Sequence, residues 1–390
     1  MPIEGEIKIN VVAKAGMVET VSITSTRPLH ITQLFKDKSI ETVADLINTL
    51  YHLCNTAHRF SYLQLLDNSG VISLSKNEIS AYHLLLDLET IREHCFSIST
   101  KWRQDTAKAI DTNIVKILTT LKEINTTLFT ESDPLSLMDK ELHAFSDIDK
   151  LIVKLENQIE LLLIGDQSED VYPFVDYDSF NNWLQKSDSQ SANFLNSLKE
   201  NNFDNLGDVE AFHLPDLNPK RVGKLMQNTG FIKQPTYQDT IYESTPYSRQ
   251  SNHKLIKQLF NIYGNGLFAR SVAQLLEVFE LLNNIKSRYI GIEFEKISYE
   301  IQSFGVESKS LVCLEAARGR LFHQMSTEGG KIKSYQILAP TEWNFHPQGV
   351  LSRMIEAITY KNEKDLIDQI MLLADAVDPC VGYSIEIERR

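Results

Sequence analysis

The residues best suited to chemistry in this sequence are thiols. The sequence has four isolated cysteines, at Cys54, Cys95, Cys313 and Cys380. Their spacing argues against a closed zinc site, whose ligands usually come in close pairs, and against a disulfide framework. Cys54 has His58 one helical turn later, so their side chains should be neighbours. Cys380 follows Asp378-Pro379, where the proline removes Asp378 from helical geometry and holds the thiol on a turn. Such a turn suits a ligand.

Three of these cysteines also have a purely structural interpretation. Cys54 falls on the apolar face of a predicted helix, where a thiol often serves as a small buried side chain. Cys95 lies in another apolar helical stretch, and Cys313 stands in a predicted strand. For these two we predict a packing role.

Composition narrows the class of protein. Hydrophobic residues make up 42% and charged residues 23%, which is typical of a globular protein. The net charge of -13 argues against a nucleic-acid partner, which would need a concentrated basic face. The longest apolar runs are too short to span a membrane, and the first residues lack a secretion signal. We therefore predict a cytoplasmic protein without a nucleic-acid or membrane partner.

The periodicity predicts a mainly α protein with small β elements, organised as one domain over residues 1–390. Alternating residues at 6–12 and 18–26 predict an N-terminal hairpin, and 311–315, 320–325 and 331–338 predict a small C-terminal antiparallel sheet. Helical spacing is found at 39–67, capped by Ser39, and at 77–127, 134–165, 253–304 with a break at 263–266, 347–361 and 363–376. The polar stretches 186–208 and 227–252 are predicted to be surface loops.

Several short elements share the sequence pattern of one enzyme family, in the family's order. Residues 53–58 correspond to the second half of Cys-x-x-Cys-x-x-x-His, with Tyr51 at the first cysteine position. Residues 378–383 correspond to the start of Asp-Pro-Cys-x-x-Cys-x-x-His, with Tyr383 at the second cysteine position and Glu386 at the histidine position. The chain thus resembles the large subunits of nickel–iron hydrogenases.

Further elements extend this resemblance along the chain. Residues 314–323 are similar to the family's Glu-Ala-Pro-Arg-Gly-x-x-x-His. Residues 331–336 and Pro340-Thr341-Glu342-Trp343-Asn344 are similar to its next strand and its Pro-Thr/Ser-x-Trp-Asn element. Ile3-Glu4-Gly5 is similar to part of Arg-Ile-Glu-Gly-His, and residues 243–249 are a weaker match. The resemblance implies a large-subunit-like helical core.

The departures from the family pattern change the implied activity. In the enzymes four thiolates hold nickel and iron, and the iron carries carbon monoxide and cyanide. Here tyrosines stand at two of the four positions, and a phenol is a poor replacement for a thiolate at nickel. This combination resembles the hydrogenase-maturation paralogues of the HupK/HoxV type. It implies a scaffold rather than an enzyme, with Cys54 and Cys380 holding an iron–cyanide–carbonyl unit and no nickel.

The resemblance also implies roles for nearby residues. Arg318 and Thr341 match the donors to the two cyanides, and His58 matches a histidine that donates to a thiolate sulfur. His323 matches the other motif histidine. The structural alternatives are an arginine paired with a carboxylate such as Glu315, a threonine in a local turn, and half-buried histidines. Glu4 matches a proton-relay acid and is expected to be structural or vestigial here.

The implied partners are those of hydrogenase assembly: a small maturation chaperone, an iron–sulfur assembly protein and the immature large subunit. A second hypothesis is a metal-free chaperone or interaction protein that uses the large-subunit shape, motivated by the two missing cysteines and the missing histidine. The same losses argue against an active hydrogenase. At the position of the family's tail cleavage stands Glu386, followed by only four residues, so we expect no cleavage.

Overall fold

A computed structural model describes residues 5–102, 112–130, 133–166, 174–302 and 308–389. Its helices are α1 (Ile40–Leu50), α2 (Asn55–Asn68), α3 (Lys76–Lys101), α4 (Thr112–Leu128), α5 (Asp149–Leu163), α6 (Tyr177–Lys186), α7 (Gln190–Glu200), α8 (Pro219–Leu225), α9 (Thr229–Lys233), α10 (Pro246–Gln250), α11 (Lys254–Tyr263), α12 (Leu267–Tyr289), α13 (Pro340–Asn344), α14 (Val350–Glu356) and α15 (Glu363–Val377). Its strands are β1 (Ile7–Lys14), β2 (Met17–Ser25), β3 (Phe129–Thr130), β4 (Lys140–Leu142), β5 (Glu295–Ile297), β6 (Ser308–Ala316), β7 (Gly319–Glu328), β8 (Lys331–Leu338) and β9 (Tyr383–Arg389). The mainly α fold class is confirmed.

The N-terminal sheet joins the two ends of the described chain. The predicted hairpin of β1 and β2 is confirmed, and β1 lies between β2 and β9. The tail strand β9 runs parallel to β1, and the amide of Ile7 donates to the carbonyl of Gly382 (2.9 Å). Because this pairing begins three residues after Cys380, it holds the segment that carries the thiol.

The C-terminal sheet agrees with the prediction. Strands β6, β7 and β8 form an antiparallel sheet in sequence order. Ala316 pairs with Gly319, so Ala317 and Arg318 form the two-residue tip of the first hairpin. The hairpin therefore places the Arg318 side chain at one end of the sheet.

The first predicted helix is divided at the cysteine. Ser39 caps α1 as predicted, accepting a hydrogen bond from the amide of Thr42. The helix ends at Leu50, however, and α2 begins only at Asn55. The prediction that Cys54 lies on a continuous helix face is wrong. The reason is distant in sequence: the Glu89 carboxylate on α3 accepts from the amides of Thr56 and Ala57 (2.7 and 3.1 Å) and so caps a new helix start.

Other predicted boundaries also change. In the stretch predicted helical at 134–165, the segment Lys140–Leu142 is a strand that pairs with β5. The polar stretch 186–208, predicted as a loop, contains α7, because Ser189 caps it and its apolar face is buried. The stretch 227–252 contains α9 and α10. These polar residues act as helix caps, which composition alone did not distinguish from loops.

The core is built around α12, which is buried along most of its length. It packs against α3, α10 and α15. The predicted break at 263–266 is confirmed, and Gly264 there has a positive φ of 68°. The helix predicted to run to residue 304 ends at Tyr289, and β5 forms beyond it, so that part of the prediction is wrong. Residues 303–307 lie outside the described residues, as do residues 103–111 of the helix predicted at 77–127. Among the described helices, none combines the length and apolar character that crossing a membrane requires.

Candidate functional site

The two predicted ligand cysteines lie in one pocket. The pocket is open to solvent and is lined by both Cys54 and Cys380. Arg318 and His58 also line it, as does Arg27 from the segment after β2. Much of the remaining wall is apolar, with Leu53, Leu321 and Ile337 among its residues. The sequence places these residues far apart, and the fold brings them together.

Cys54 is held at the start of α2. The side-chain amide of Asn55 donates to the carbonyl of Tyr51 (2.7 Å), and Arg92 donates to the carbonyl of Leu53 (2.9 Å). Burial raises the pKa of the Cys54 thiol to about 12, although the Arg318 guanidinium opposes the shift. The loop is therefore fixed by contacts to its own chain and to α3, and presents the sulfur to the pocket.

Cys380 is presented by the turn after α15. As Pro379 predicts, Asp378 leaves helical geometry, with φ 57° and ψ 78°. The Lys101 ammonium donates to the buried Asp378 carboxylate (2.5 Å). A hydrogen bond joins Thr341 Oγ1 and Cys380 Sγ (2.9 Å). Thr341 lies in α13 and contacts the proposed ligand, so the local-turn interpretation of this threonine is wrong.

Arg318 connects the two cysteine segments. Its guanidinium contacts the carboxylates of Glu93 on α3 (3.1 Å) and Asp378 (3.2 Å). It also donates to Cys54 Sγ (3.5 Å). The structural alternative, a buried arginine paired with a carboxylate, thus describes Arg318 too, although Glu315 is not the partner, because that carboxylate pairs with Arg320 instead (2.7 Å). Burial alone would raise the pKa of Asp378, but Arg318 and Lys101 hold it below its usual value.

The hairpin tip that carries Arg318 is clamped by two other motif segments. Asn344 donates to the carbonyls of Ser244 (2.8 Å) and Arg318 (3.1 Å) and accepts from the Ser244 amide (2.8 Å). Ser244 Oγ accepts from the amide of Arg320 (2.8 Å). Three sequence elements that matched the family pattern separately therefore meet around one turn, including the weaker match at 243–249.

A buried ion pair supports the same hairpin from behind. Arg249 donates to the Glu277 carboxylate (2.5 and 2.6 Å) and to the carbonyl of Ala317 (2.8 Å). His94 contacts the same carboxylate (2.8 Å). Burial alone would raise the pKa of Glu277, but Arg249 and His94 lower it to about 2. The charged form of Glu277 is thus the one that the fold stabilises.

This ion pair predicts an acid-sensitive stability. The pKa of Glu277 falls from 4.5 to about 2 on folding, which corresponds to about 3–4 kcal/mol at about 1.4 kcal/mol per pH unit. Because the folded pKa is the lower one, this stability is present above about pH 4.5 and is lost as the pH falls towards 2. Urea unfolding between pH 7 and pH 3 should show a smaller acid loss in Glu277→Gln than in the wild type. Glu280→Gln, one turn along α12 and more exposed, should retain the wild-type slope; equal slopes in all three proteins would contradict the prediction.

The two predicted histidines occupy different positions. His58 lines the pocket, and its ring stacks on that of Tyr51 with centroids 3.9 Å apart. His323 is fully buried behind it, with its Nε2 2.9 Å from His58 Nδ1. His323 Nδ1 lies 2.7 Å from the hydroxyl of Tyr335. His58 therefore faces the pocket, whereas His323 lies behind His58 and is not among the residues that line the pocket.

The residues that replace the missing ligands of the family pattern have different surroundings. Tyr51 lines the pocket, and burial raises its pKa to about 12, so its phenol is neutral. The Tyr383 hydroxyl instead donates to Asp375 (3.1 Å), and Glu386 is exposed on β9. Glu4 lies outside the described residues. In the described part of the chain, no three His, Cys, Asp or Glu side chains come together as a metal site.

Sequence reasoning missed two charged groups at the pocket. Arg27 donates to Glu342 (2.8 Å), and both line the cavity. Glu342 stands inside the Pro-Thr-x-Trp-Asn element, which was a usable signal. Arg27 and the Arg318 partner Glu93 stand in no recognised motif, so only the fold identifies them.

Comparisons with known proteins place these observations in a family context. Residues 265–382 match the family model of the nickel-dependent hydrogenases. The hydrogenase expression/formation protein HupK of Rhizobium leguminosarum bv. viciae is 32% identical over 138 residues, 31% of this chain and 37% of the relative. HoxV of Cupriavidus necator, also a hydrogenase expression/formation protein, is 39% identical over 82 residues, 20% of this chain and 21% of the relative. The resemblance is confirmed.

The large-subunit-like fold extends well beyond these matched segments. The Ni-Fe-Se hydrogenase of D. vulgaris Hildenborough superposes with a TM-score of 0.68 and 14% identity, over 94% of each chain. That of Desulfomicrobium baculatum gives the same TM-score and identity over 95% of each chain. The sequence matches to the expression/formation proteins cover less than two thirds of those relatives' length. Because the two solved structures share only 14% identity with this chain, their superpositions establish the fold alone.

Proposed function

We propose that this protein acts in hydrogenase maturation as a scaffold. It holds an iron unit carrying two cyanides and one carbon monoxide through Cys54 and Cys380, and passes it to the immature large subunit of a nickel–iron hydrogenase. The iron unit is cargo rather than a resident cofactor. The names of the relatives, hydrogenase expression/formation proteins, support the maturation role.

The observation that carries the proposal is the pairing of two soft donors in one pocket. A bare metal ion in a protein usually needs four or more ligands. Within the described residues, this pocket supplies two thiols and no third His, Cys, Asp or Glu in a metal-binding arrangement. An iron that already carries three diatomic ligands needs few from the protein. The donor set therefore fits this cargo better than a free ion.

The rest of the pocket also fits the diatomic ligands. Cyanide nitrogens accept hydrogen bonds, and Arg318 is a cationic donor beside Cys54, while Thr341 is a hydroxyl donor beside Cys380. Carbon monoxide is a poor hydrogen-bond acceptor and suits an apolar wall such as that formed by Leu321 and Ile337. Thiolate binding releases the cysteine protons, so loading would couple to proton release.

The same geometry argues against nickel as further cargo. Tyr51 occupies the pocket with a neutral phenol, and Tyr383 is hydrogen-bonded to Asp375. We propose no catalytic activity. The proposed partners of the protein are a maturation chaperone and an iron–sulfur assembly protein, which prepare the iron unit, and the immature large subunit, which receives it.

Infrared spectroscopy tests the proposal directly. Protein is produced anaerobically together with hydrogenase maturation proteins, and its spectrum and iron content are measured. We expect cyanide and carbonyl bands and about one iron per chain in the wild type. Both should be lost in Cys54→Ala and in Cys380→Ala. The matched control is Cys313→Ala, since that cysteine does not line the pocket and is exposed on β6, contrary to the packing role predicted for it.

The opposite outcome favours the second hypothesis. A wild-type protein without iron or infrared bands that still supports maturation would identify a metal-free chaperone. Bands that persist in both cysteine variants would refute the ligand assignment.

A further inference from the structure

A chain of hydrogen bonds runs from the pocket wall into the C-terminal sheet. His58 Nδ1 lies 2.9 Å from His323 Nε2, and His323 Nδ1 lies 2.7 Å from the Tyr335 hydroxyl. His323 on β7 pairs with Ile337 on β8, and Tyr335 stands two residues before that partner. His323 and Tyr335 are thus diagonal neighbours on one face of the sheet, within reach of each other. The sheet register sets this contact.

Both imidazoles in this hydrogen-bond chain are buried and share one hydrogen bond between their inner nitrogens, which favours neutral rings. Burial lowers the pKa of His323 to about 3. A neutral imidazole has one N–H donor and one acceptor nitrogen. Because His58 Nδ1 and His323 Nε2 are hydrogen-bonded to each other, the protons of this hydrogen-bond chain have two possible arrangements, in which every hydrogen bond is donated in the opposite direction.

Tyr335 distinguishes between these arrangements. Among the described residues, its hydroxyl has His323 as its only hydrogen-bond partner. Its ring is buried and packs against Phe35 and Tyr62. If His323 donated to the phenol oxygen, the hydroxyl hydrogen would be buried without an acceptor, which is costly. The hydroxyl therefore donates to His323 Nδ1.

The remaining protons follow from this direction. His323 then carries its proton on Nε2 and donates to His58 Nδ1, which leaves the His58 proton on Nε2. We propose that Tyr335 and His323 are positioning residues that hold His58 as the Nε2–H tautomer, so that it donates a hydrogen bond into the pocket. Among the described residues, the His58 ring is hydrogen-bonded through Nδ1 alone, which leaves Nε2 for the pocket that the ring lines. The ring plane is held by stacking on Tyr51.

The chemistry of the recipient follows from the donor. A neutral N–H in a partly apolar pocket selects an acceptor, and a thiolate sulfur or a cyanide nitrogen of bound cargo meets this description. This last step rests on the proposed scaffold function. The tautomer itself does not, because it is determined by the protein alone.

Nitrogen NMR of the cargo-free protein tests the proposal. Protein with ¹⁵N-labelled histidine reports which ring nitrogen of His58 carries the proton, and His58→Gln assigns the signal. We expect the Nε2–H tautomer alone in the wild type. Tyr335→Phe removes only the hydroxyl, so neither direction of the chain is favoured and both tautomers should be populated. Tyr62→Phe is the matched control, since it removes a neighbouring buried hydroxyl that donates elsewhere, to the carbonyl of Ile40.

A second pair of variants separates positioning from folding. The glutamine of His323→Gln can accept from Tyr335 and donate to His58 Nδ1, so this variant should keep the Nε2–H tautomer. His323→Leu should lose it. A wild-type His58 protonated on Nδ1, or a Tyr335→Phe variant that keeps Nε2–H alone, would overturn the proposal. If the tautomers behave as expected but no iron unit binds, the scaffold function fails and the inference stands.

Discussion

Replacing Gly319 by alanine is expected to lower the free energy of unfolding by more than about 4 kcal/mol, the range of severe substitutions. Gly319 has a φ of 127°, which side-chain-bearing residues rarely adopt. A Cβ built there would lie 1.9 Å from the carbonyl oxygen of Ser244. Ser244 cannot move away freely, because Asn344 holds its backbone through two hydrogen bonds. Strain and collision therefore act together.

Urea unfolding followed by circular dichroism measures this effect. Gly291→Ala is the matched control, since a Cβ there meets no atom within 4 Å, and it should change stability by less than about 0.5 kcal/mol. Failure of Gly319→Ala to accumulate as folded protein while Gly291→Ala folds normally would agree with the expectation. A Gly319→Ala protein as stable as the control would contradict the prediction that this position requires a glycine.

Replacing Arg318 by methionine should cost about 3–5 kcal/mol of stability, the usual effect of removing one partner from a buried ion pair. The change leaves the carboxylates of Glu93 and Asp378 buried without their shared cation. Lys101 still contacts Asp378 (2.5 Å), and Arg92 still contacts Glu93 (2.7 Å). Arg92 is partly exposed, however, and so compensates the Glu93 charge less well than the buried Arg318 does. The same variant should also lose the iron unit, because the donor beside Cys54 is absent.

The control and the compensating variant make this prediction specific. Arg320→Met, two residues later in β7, breaks a partly exposed pair with Glu315 and should cost about 1 kcal/mol or less. Adding Glu93→Gln to Arg318→Met should recover part of the stability, since one buried negative charge is removed and its remaining partner Arg92 is partly exposed to water. The double variant should regain stability but should still fail to bind the iron unit, because Arg318 is absent. A stability loss equal to that of Arg320→Met would mean that the Arg318 charge is not buried among carboxylates.

The parts of the site that sequence reasoning identified share one property, which is that local chemistry determines them. Pro379 excludes helical geometry at Asp378, so the turn that presents Cys380 was predictable. The antiparallel pairing of the strands on either side of Arg318 followed from their alternating pattern. The roles of Arg318 and Thr341 came from motif resemblance, and the structure places both beside a cysteine.

The errors arose where a distant residue decides the local structure. The sequence around Cys54 has good helical periodicity, and nothing within it indicates that Glu89 would cap a second helix there. Similarly, no local signal identified Glu93 as the partner of Arg318, or Tyr335 as the residue that orients the two histidines.

The sequence by itself determined the fold class, the order of the motifs and the identity of the two thiols that the site offers. The tertiary structure decided which side chains share the pocket, which charges surround Arg318, and which of the two tyrosines at missing ligand positions lines the cavity. The physical reason is the distance along the chain over which each interaction acts. Caps, turns and periodicity act over a few residues, whereas burial, ion pairing and hydrogen-bond direction depend on groups that only the folded chain brings together.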